Sequence, residues 1–286
     1  MISTYPYSVI DNGVFEINEF DGSSMFLIVG NARALLIDTG VGIGDLKAFI
    51  GTLTDRPIDV LLTHNHRDHV GNAPRYSVVH MGKGDLGMGP ILRSATSRES
   101  RMQFANNTCK MHPGKNYPWC ADDLAEFTQE PKVIPVVDGF TFDLGGRSVQ
   151  CIATPGHTPG SISAIDSETG ILFCGDACNG ILGLGVRPIE GMQHASVEEA
   201  YDALKRLNSM DFDHNRIFNG HTDCRAQGQA LPEYMLPRVL TTMEKIISGH
   251  YQAIHKHIPS INADVEVVQE HGVEVQFHTE MIYRSK

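Results

Sequence analysis

The sequence predicts a mixed α/β (α+β) fold, and three features lead to that expectation. Short runs rich in β-branched and aromatic residues, separated by Gly, Pro, Asn and Asp, are typical of strands. Other segments carry apolar residues at helical spacing. Histidines and aspartates follow directly after several strand-like runs, where α/β and related folds gather their functional sites.

Residues 1–80 predict antiparallel hairpins followed by a helix and a buried strand. Short turns separate the first four strand-like runs, which favours antiparallel pairing. After Gly40, the segment DLKAFIGTL has the apolar spacing of a helix. The expected strands are YSVI at 7–10, VFEI at 14–17, MFLIVG at 25–30, ALLID at 34–38, IDVLLT at 58–63 and SVVH at 77–80.

Residues 81–131 mix Gly, Met, Arg, Asn and Pro without a strand pattern. We interpret this stretch as an insertion that lies over the site. Within it, the segment LRSATSRESRMQFA at 92–105 favours a helix.

Strand signals return after the insertion, in an expected single domain over residues 1–286. Ser196 and Glu199 form a capping box ahead of an amphipathic helix, and a second helix is expected at 234–248. An extension at about 226–286 combines that second helix with a terminal hairpin. The expected strands lie at 132–137, 140–144, 148–154, 161–166, 170–175 and 216–220.

Composition and charge fit a globular protein that acts on a small molecule. The chain has 286 residues, 41% of them hydrophobic and 20% charged. A formal net charge of −11 argues against nucleic-acid binding, which depends on clustered Lys and Arg. No run approaches the roughly 18 apolar residues of a membrane span, and no secretory leader pattern is present. With six dispersed cysteines interpreted as reduced thiols, we expect a cytoplasmic protein without a membrane partner, and a homodimer stays open.

The central motif reads H-x-H-x-D-H and begins directly after a predicted strand. His64 and His66 are two residues apart, so both can point to one side of an extended segment. Asp68 and His69 follow along the turn and can face a second point. Four metal-binding side chains within six residues can therefore serve two adjacent ions. The alternative is a run of solvated loop histidines.

Three further positions have the same placement at the end of a strand. His157 lies in the tight turn TPGHTPG, Asp176 follows the strand ILFC, and His221 follows IFN. Each is weak evidence alone, because a histidine beside a glycine is often only a turn residue. Together with the first motif they predict one metal site.

These motifs resemble those of the metallo-β-lactamase superfamily, from about residue 8 to residue 225. The resemblance implies a four-layer αβ/βα sandwich. It also implies that seven side chains bind two metal ions: His64, His66 and His157 the first, Asp68, His69 and His221 the second, and Asp176 both. The segment Ile37–Gly40 resembles the family's buried Asp-Thr-Gly stretch, where Asp38 would orient the ligand loops. The alternative for Asp38 is a plain turn residue.

The ligand set leads to a mechanism. Nitrogen and oxygen ligands suit two divalent ions, with Zn²⁺ as first choice and iron or manganese as alternatives. Two dications lower the pKa of a bridging water and so supply hydroxide at neutral pH. That hydroxide would attack a carbonyl or phosphoryl centre, and Asp68 would be the catalytic residue that shuttles a proton.

The bridging Asp176 narrows the choice of hydrolase. Zinc β-lactamases usually carry Cys or Ser there, whereas a bridging Asp resembles the glyoxalase II-like, lactonase, sulfatase-like and phosphodiesterase branches. We therefore expect hydrolysis of a small carboxylic ester, thioester or lactone. A phosphodiester or phosphonate comes second and a β-lactam third; a di-iron redox protein or a metal-binding sensor is the alternative of another class.

Three residues are candidates for the substrate pocket. Tyr117 and Trp119 could form an apolar wall, and Asn179 could face the pocket. The alternatives are loop packing for the two aromatic residues and a turn role for Asn179.

Overall fold

The structure is a computed structural model that describes residues 1–91, 98–124, 126–186, 194–258 and 262–284. Within these ranges the strands form three sheets, of seven, five and four strands. None of the helices described there has the length and apolarity needed to cross a bilayer.

The seven-stranded sheet contains the N-terminal strands in chain order. The first four pair antiparallel, as the hairpin pattern predicts, and the pairs from β4 to β7 are parallel. The strands are β1 (Tyr7–Asp11), β2 (Val14–Asn18), β3 (Ser24–Val29), β4 (Ala34–Ile37), β5 (Ile58–Leu62), β6 (Val78–Gly82) and β7 (Lys132–Val136).

The five-stranded sheet has the order β13-β11-β10-β9-β8. All its pairs are antiparallel except β11 with β13, which is parallel. Its strands are β8 (Thr141–Asp143), β9 (Ser148–Ala153), β10 (Ile162–Asp166), β11 (Leu172–Gly175) and β13 (Ile217–Asn219).

The two large sheets pack face to face. In β3, Phe26 and Ile28 face the five-stranded sheet, where Phe26 meets Phe173 with ring centroids 4.8 Å apart. Met25 and Leu27 point to the opposite face. This alternation is the period of two that a strand imposes, and it lets one strand contribute to two cores.

Helices cover the outer face of each sheet. Helix α1 (Leu46–Leu53) packs on the seven-stranded sheet. Helices α4 (Val197–Asn208) and α5 (Met235–Ile247) pack on the five-stranded sheet. The predicted capping box is present at α4, where Ser196 Oγ accepts the backbone N–H of Glu199. Helix, sheet, sheet and helix form the four-layer αβ/βα sandwich that the resemblance implied, and the fold prediction is confirmed.

The C-terminal part adds a four-stranded sheet against helix α5. The predicted hairpin is present, with a turn at His271 and Gly272 that uses positive φ at both residues. Two further strands were not expected, because one has only three residues and the other is mostly polar and exposed. The order is β12 (Ile181–Gly183), β16 (Val273–Phe277), β15 (Ala263–Glu270) and β14 (Ile254–Ile258).

The segment interpreted as an insertion begins with core structure. Strand β6 extends to Gly82, two residues further than predicted, and a 3₁₀-helix follows directly. Of the helix expected at 92–105, residues 92–97 lie outside the described residues, and α3 (Arg98–Met111) covers the rest. The short helices are α2 (Arg67–Val70) and the 3₁₀ turns Ala73–Arg75, Lys83–Met88, Ala121–Asp123 and Thr279–Met281.

Candidate metal centre

The seven predicted ligands converge at one edge of the sandwich. Four of them follow β5 of the seven-stranded sheet, and the short helix α2 turns Asp68 and His69 inward. The other three follow β9, β11 and β13 of the five-stranded sheet. The sheets are cross-linked here, because Ile162 N–H donates to Thr63 O at 2.9 Å and Ser24 N–H donates to Gly220 O at 2.7 Å.

Ligand atoms form three overlapping groups, each with its atoms within 4.8 Å of one another. His157 Nε2 lies 3.0 Å from His66 Nδ1, and His221 Nε2 lies 3.2 Å from Asp176 Oδ2. His69 Nε2 is 3.6 Å from a carboxylate oxygen of both Asp68 and Asp176. The groups are His64, His66 and His157; His64, His69 and Asp176; and Asp68, His69 and His221.

Three buried atoms in this cluster have no hydrogen-bond partner among the described residues. They are His64 Nε2, His69 Nε2 and Asp176 Oδ1. Leaving such atoms unpaired costs roughly 1–3 kcal/mol each, so buried polar atoms are normally satisfied. A metal ion would satisfy all three, and imidazole with carboxylate suits Zn²⁺ and related dications. The residues present therefore fit a metal centre.

Asp38 fixes the orientation of two ligands. Its Oδ2 lies 2.8 Å from His69 Nδ1 and accepts the Thr63 hydroxyl at 2.8 Å. Thr63 Oγ1 lies in turn 3.0 Å from His64 Nδ1. Asp38 is buried and has a φ of 63°, a conformation that is uncommon for residues other than glycine. These contacts direct His69 Nε2 toward Asp68 and Asp176, as expected of a carboxylate behind a metal ligand.

Asp85 connects the loops that carry the first three histidines, and the sequence reasoning missed it. Its Oδ2 accepts the Asn65 backbone N–H at 2.8 Å and the Thr158 hydroxyl at 2.9 Å. Its Oδ1 accepts the Gly160 N–H at 2.6 Å. A Cβ on Gly160 would lie 2.3 Å from the Asp85 backbone N, so the close approach requires glycine there. The available sequence signal was the position of Asp85, an acidic residue shortly after strand β6 at the edge of the sheet that carries the predicted ligands.

A buried ion pair supports the loop of His221. Arg225 Nη1 lies 2.8 Å from Glu16 Oε1, with both side chains almost fully buried. The same guanidinium donates to Asn219 Oδ1 and Asn219 O at 2.6 and 2.9 Å. Gly220 follows, where a Cβ would lie 2.7 Å from Asp176 Oδ1. The contacts of Arg225 with Asn219 and Glu16 thus hold the His221 loop close to the other predicted ligands.

Protonation preferences in the cluster follow from burial and from neighbouring charge. Burial and the surrounding histidines hold the pKa of His64 well below its usual range, which favours the neutral ligand form. Burial also opposes charge on His221, but the Asp176 carboxylate outweighs it and raises the pKa of His221 to about 9. For Asp176, burial raises the pKa, but His221 and His69 hold it well below its usual value. The carboxylates thus create the negative field that a dication would neutralise.

A broad cleft of about 450 Å³ opens over the ligands. Helix α3 forms one wall with Phe104, Thr108 and Met111. Asp223 adds negative charge at the cleft, whereas Asp21 pairs with Lys115 Nζ at 2.7 Å. None of the described lining residues is Lys or Arg.

The predicted pocket residues have different positions. Asn179 lines the cleft, although its Oδ1 also accepts Asn219 Nδ2 at 2.5 Å. Tyr117 and Trp119 are not among the described lining residues. The Tyr117 hydroxyl donates to Asp21 Oδ2 at 2.5 Å, and Trp119 packs against the core beneath the seven-stranded sheet. The structure therefore does not support the apolar wall that was expected from these two residues.

Comparison with known proteins identifies a family and several relatives. The model of the Metallo-beta-lactamase superfamily matches residues 18–221. The acyl-coenzyme A thioesterase MBLAC2 of Bos taurus is 28% identical over 193 residues, which cover 60% of this chain and 66% of that protein, just under two thirds. The atrochrysone carboxyl ACP thioesterase of Aspergillus fumigatus is 26% identical over 196 residues, covering 67% of this chain and 49% of that protein.

Solved structures share the fold. The archaeal superfamily protein ST1585 from Sulfolobus tokodaii gives a TM-score of 0.51 at 21% identity, covering 83% of this chain and 85% of that one. A HARLDQ-motif metallo-beta-lactamase from Cronobacter sakazakii gives 0.54 at 17% identity, covering 85% of this chain and 93% of that one. At these identities the likeness concerns the fold alone.

Proposed function

The chain belongs to the metallo-beta-lactamase superfamily, and from this we propose that it is a dinuclear metal-dependent hydrolase that cleaves a small thioester. The observation that carries the proposal is the convergence of seven buried or half-buried ligand side chains, with three of their atoms unpaired inside the cluster. Without a bound metal, those three unpaired buried atoms would lower the stability of the fold.

Two ion positions follow from the three groups of ligand atoms. The first would be held by His64, His66 and His157, and the second by Asp68, His69 and His221, with Asp176 shared. When bound, such a pair of ions supplies a nucleophile at neutral pH and stabilises negative charge at the attacked carbonyl.

We assign the proton transfer of the reaction to Asp68. Hydrolysis adds water across the acyl–sulfur bond, giving a carboxylic acid and a thiol, so a proton must reach the leaving sulfur. Asp68 Oδ2 lies 3.6 Å from both His69 Nε2 and His221 Nε2, and the residue lines the open cleft. It therefore touches both the ligand cluster and the space where a leaving group would lie.

Two lines of support favour a thioester over the other substrates considered. Two relatives at 26–28% identity are named as thioesterases. The described lining residues of the cleft include no Lys or Arg, so the cleft offers no guanidinium or ammonium group of its own to a phosphodiester or phosphonate. Oxygen esters, lactones and β-lactams share the carbonyl chemistry and are outcomes of the test.

The test is a substrate panel on the metal-loaded protein. It contains an acyl thioester, the matching oxygen ester, a lactone, a phosphodiester and a β-lactam, each with and without chelator. We expect chelator-sensitive turnover, fastest with the thioester. Asp68→Asn should lower kcat by about 10²–10⁴-fold, the usual contribution of general acid–base catalysis. Asp223→Asn is the matched control, because Asp223 lines the cleft outside the ligand groups. Faster turnover of another class would reject the thioester assignment.

A further inference from the structure

A second, smaller cavity lies beside the ligand cluster. It has a volume of about 180 Å³, and none of its described lining residues is Asp, Glu, Lys or Arg, whereas four aspartates line the broad cleft. The apolar residues that line it are Met88, Pro159, Ile181, Val186 and Ile258. We call this cavity the apolar recess.

The apolar recess and the broad cleft share part of their walls. His66, His157 and Ile181 line both. Two of these are ligands of the first ion position, so that position lies at the boundary between the two spaces. The carbonyl carbon of a thioester carries an acyl chain on one side and a thiol portion on the other. If the carbonyl is held at this position, each of these two parts has a separate space.

The walls of the recess are tied to the ligands themselves. Thr158 and Pro159 belong to the same turn as His157, whose Nδ1 lies 2.9 Å from Gly183 O. Gly183 ends strand β12, and Ile258 ends strand β14 of the same four-stranded sheet. The C-terminal sheet thus contributes one side of the recess, which gives the extension a place in the site.

We propose that the apolar recess binds the aliphatic acyl chain of the substrate, while the broad cleft takes the thiol portion. The inference depends on the proposed thioester hydrolysis. Burying methylene groups against Met88, Val186 and Ile258 is favourable, whereas the amides of a typical thiol carrier need polar partners. The cleft offers such partners in Thr108, Asn179 and Thr222, among others.

The size of the recess sets an upper length for the acyl chain. A cavity of about 150 Å³ binds a six-carbon ring, so about 180 Å³ accommodates roughly six or seven methylene-sized groups. We expect kcat/KM to rise about fourfold per methylene while the recess fills. Beyond that length kcat/KM should level off or fall.

The experiment measures kcat/KM of the metal-loaded protein on N-acetylcysteamine thioesters with acyl chains of increasing length. Met88→Trp narrows the recess and should move the optimum to shorter chains, and Met88→Ala should move it to longer ones. Met111→Trp in the broad cleft is the matched control, which should lower kcat/KM for all chain lengths without moving the optimum. Ile258→Trp narrows the recess from strand β14 and replaces Met88→Trp if that variant fails to fold.

Two results would overturn the assignment: kcat/KM that does not change with chain length, or an optimum that moves with Met111→Trp but not with the Met88 variants. A binding measurement separates this inference from the proposed function. If no thioester is hydrolysed, the thioester assignment fails. Affinity for octanoate then tests the recess by itself: it should fall at least tenfold in Met88→Trp and stay near wild type in Met111→Trp. Equal affinities in all three proteins would refute acyl binding there.

Discussion

The carboxylate of Asp85 accepts the backbone N–H of Asn65 at 2.8 Å, in the middle of the H-x-H motif. Because the same carboxylate also accepts from Thr158 and Gly160, it joins the loop of His64 and His66 to the turn of His157. These loops come from different sheets. One buried side chain therefore sets the distance between the ligands of the first ion position.

Replacing Asp85 should weaken the first ion position selectively. Asp85→Asn puts an amide N–H₂ where a carboxylate oxygen accepts backbone N–H groups, so at least one of these donors loses its partner. Partners behind metal ligands are typically worth 10–100-fold in metal affinity. We expect a loss of that size for one of two ions, measured by competition with a chelator of known affinity. Unchanged affinity for both ions would contradict this role.

Asp166 provides a control for Asp85, because it is also a buried carboxylate but is not among the ligand groups. Its two oxygens pair with Arg147 Nε and Nη2, and both side chains are almost fully buried. Removing one partner of such a pair costs about 3–5 kcal/mol. We therefore expect Asp166→Asn to lower the free energy of unfolding in urea while both ions still bind. If Asp166→Asn also lost one ion, the metal loss in Asp85→Asn could be explained by lower stability, and the specific role of Asp85 would be contradicted.

The Asp166 pair also predicts a pH dependence of stability. Burial raises the pKa of Asp166, but the hydrogen bonds from Arg147 and Thr169 outweigh burial and hold it below the ordinary value of 3.8. The ionised form is therefore favoured in the folded state. Its contribution is present above pH 3.8 and is lost as the pH falls through the lower folded-state pKa. Urea unfolding from pH 6 to pH 2 should show a smaller acid loss in Asp166→Asn than in wild type; equal losses would contradict the pair's role.

Replacing Asp38 should weaken the second ion position most, because Asp38 contacts His69 directly but His64 only through Thr63. Asp38→Ala removes the acceptor of His69 Nδ1 and of the Thr63 hydroxyl. The ring of His69 then loses its fixed orientation, and we expect affinity for one ion to fall 10–100-fold. Asp59→Ala is the matched control, since Asp59 pairs with Arg33 near the start of β5. The prediction fails if both variants keep two ions with the same affinity.

Substitutions of Trp119 and Asn179 should have different effects on KM. The Trp119 indole N–H is buried without a hydrogen-bond partner among the described residues, so Trp119→Phe removes no such bond. Its partly buried ring packs against the core and is not among the described residues that line the cleft, so we expect KM to stay within about twofold of wild type. Asn179→Ala removes a side chain that lines the cleft and should raise KM several-fold. Steady-state kinetics with one thioester checks both.

The sequence predicted which seven side chains converge, because each follows a strand and belongs to a short motif. It also predicted the hairpins and the outer helices, since alternation in β3 and the capping box at α4 are local signals. Asp85 and Arg225 were missed for a physical reason. Each acts through contacts with residues distant in sequence, such as Gly160 and Glu16, and no local pattern encodes those contacts.

Tyr117 and Trp119 show a different limit of reasoning from sequence. Aromatic residues in an insertion near a site could equally line a cleft or pack on a core, and only the three-dimensional placement separates the two cases. Strand β14 was missed because its residues are polar and exposed, so pairing with β15 rather than hydrophobic pattern defines it.

The most direct test is the metal content of the purified, metal-replete protein, measured by elemental analysis together with His64→Ala and Asp176→Asn. Seven converging ligands with three unpaired buried atoms predict about two ions per chain in wild type, as a paired-metal site requires. Fewer ions are expected in both variants. A folded wild-type chain that binds no ion under these conditions would contradict the metal centre and the function built on it.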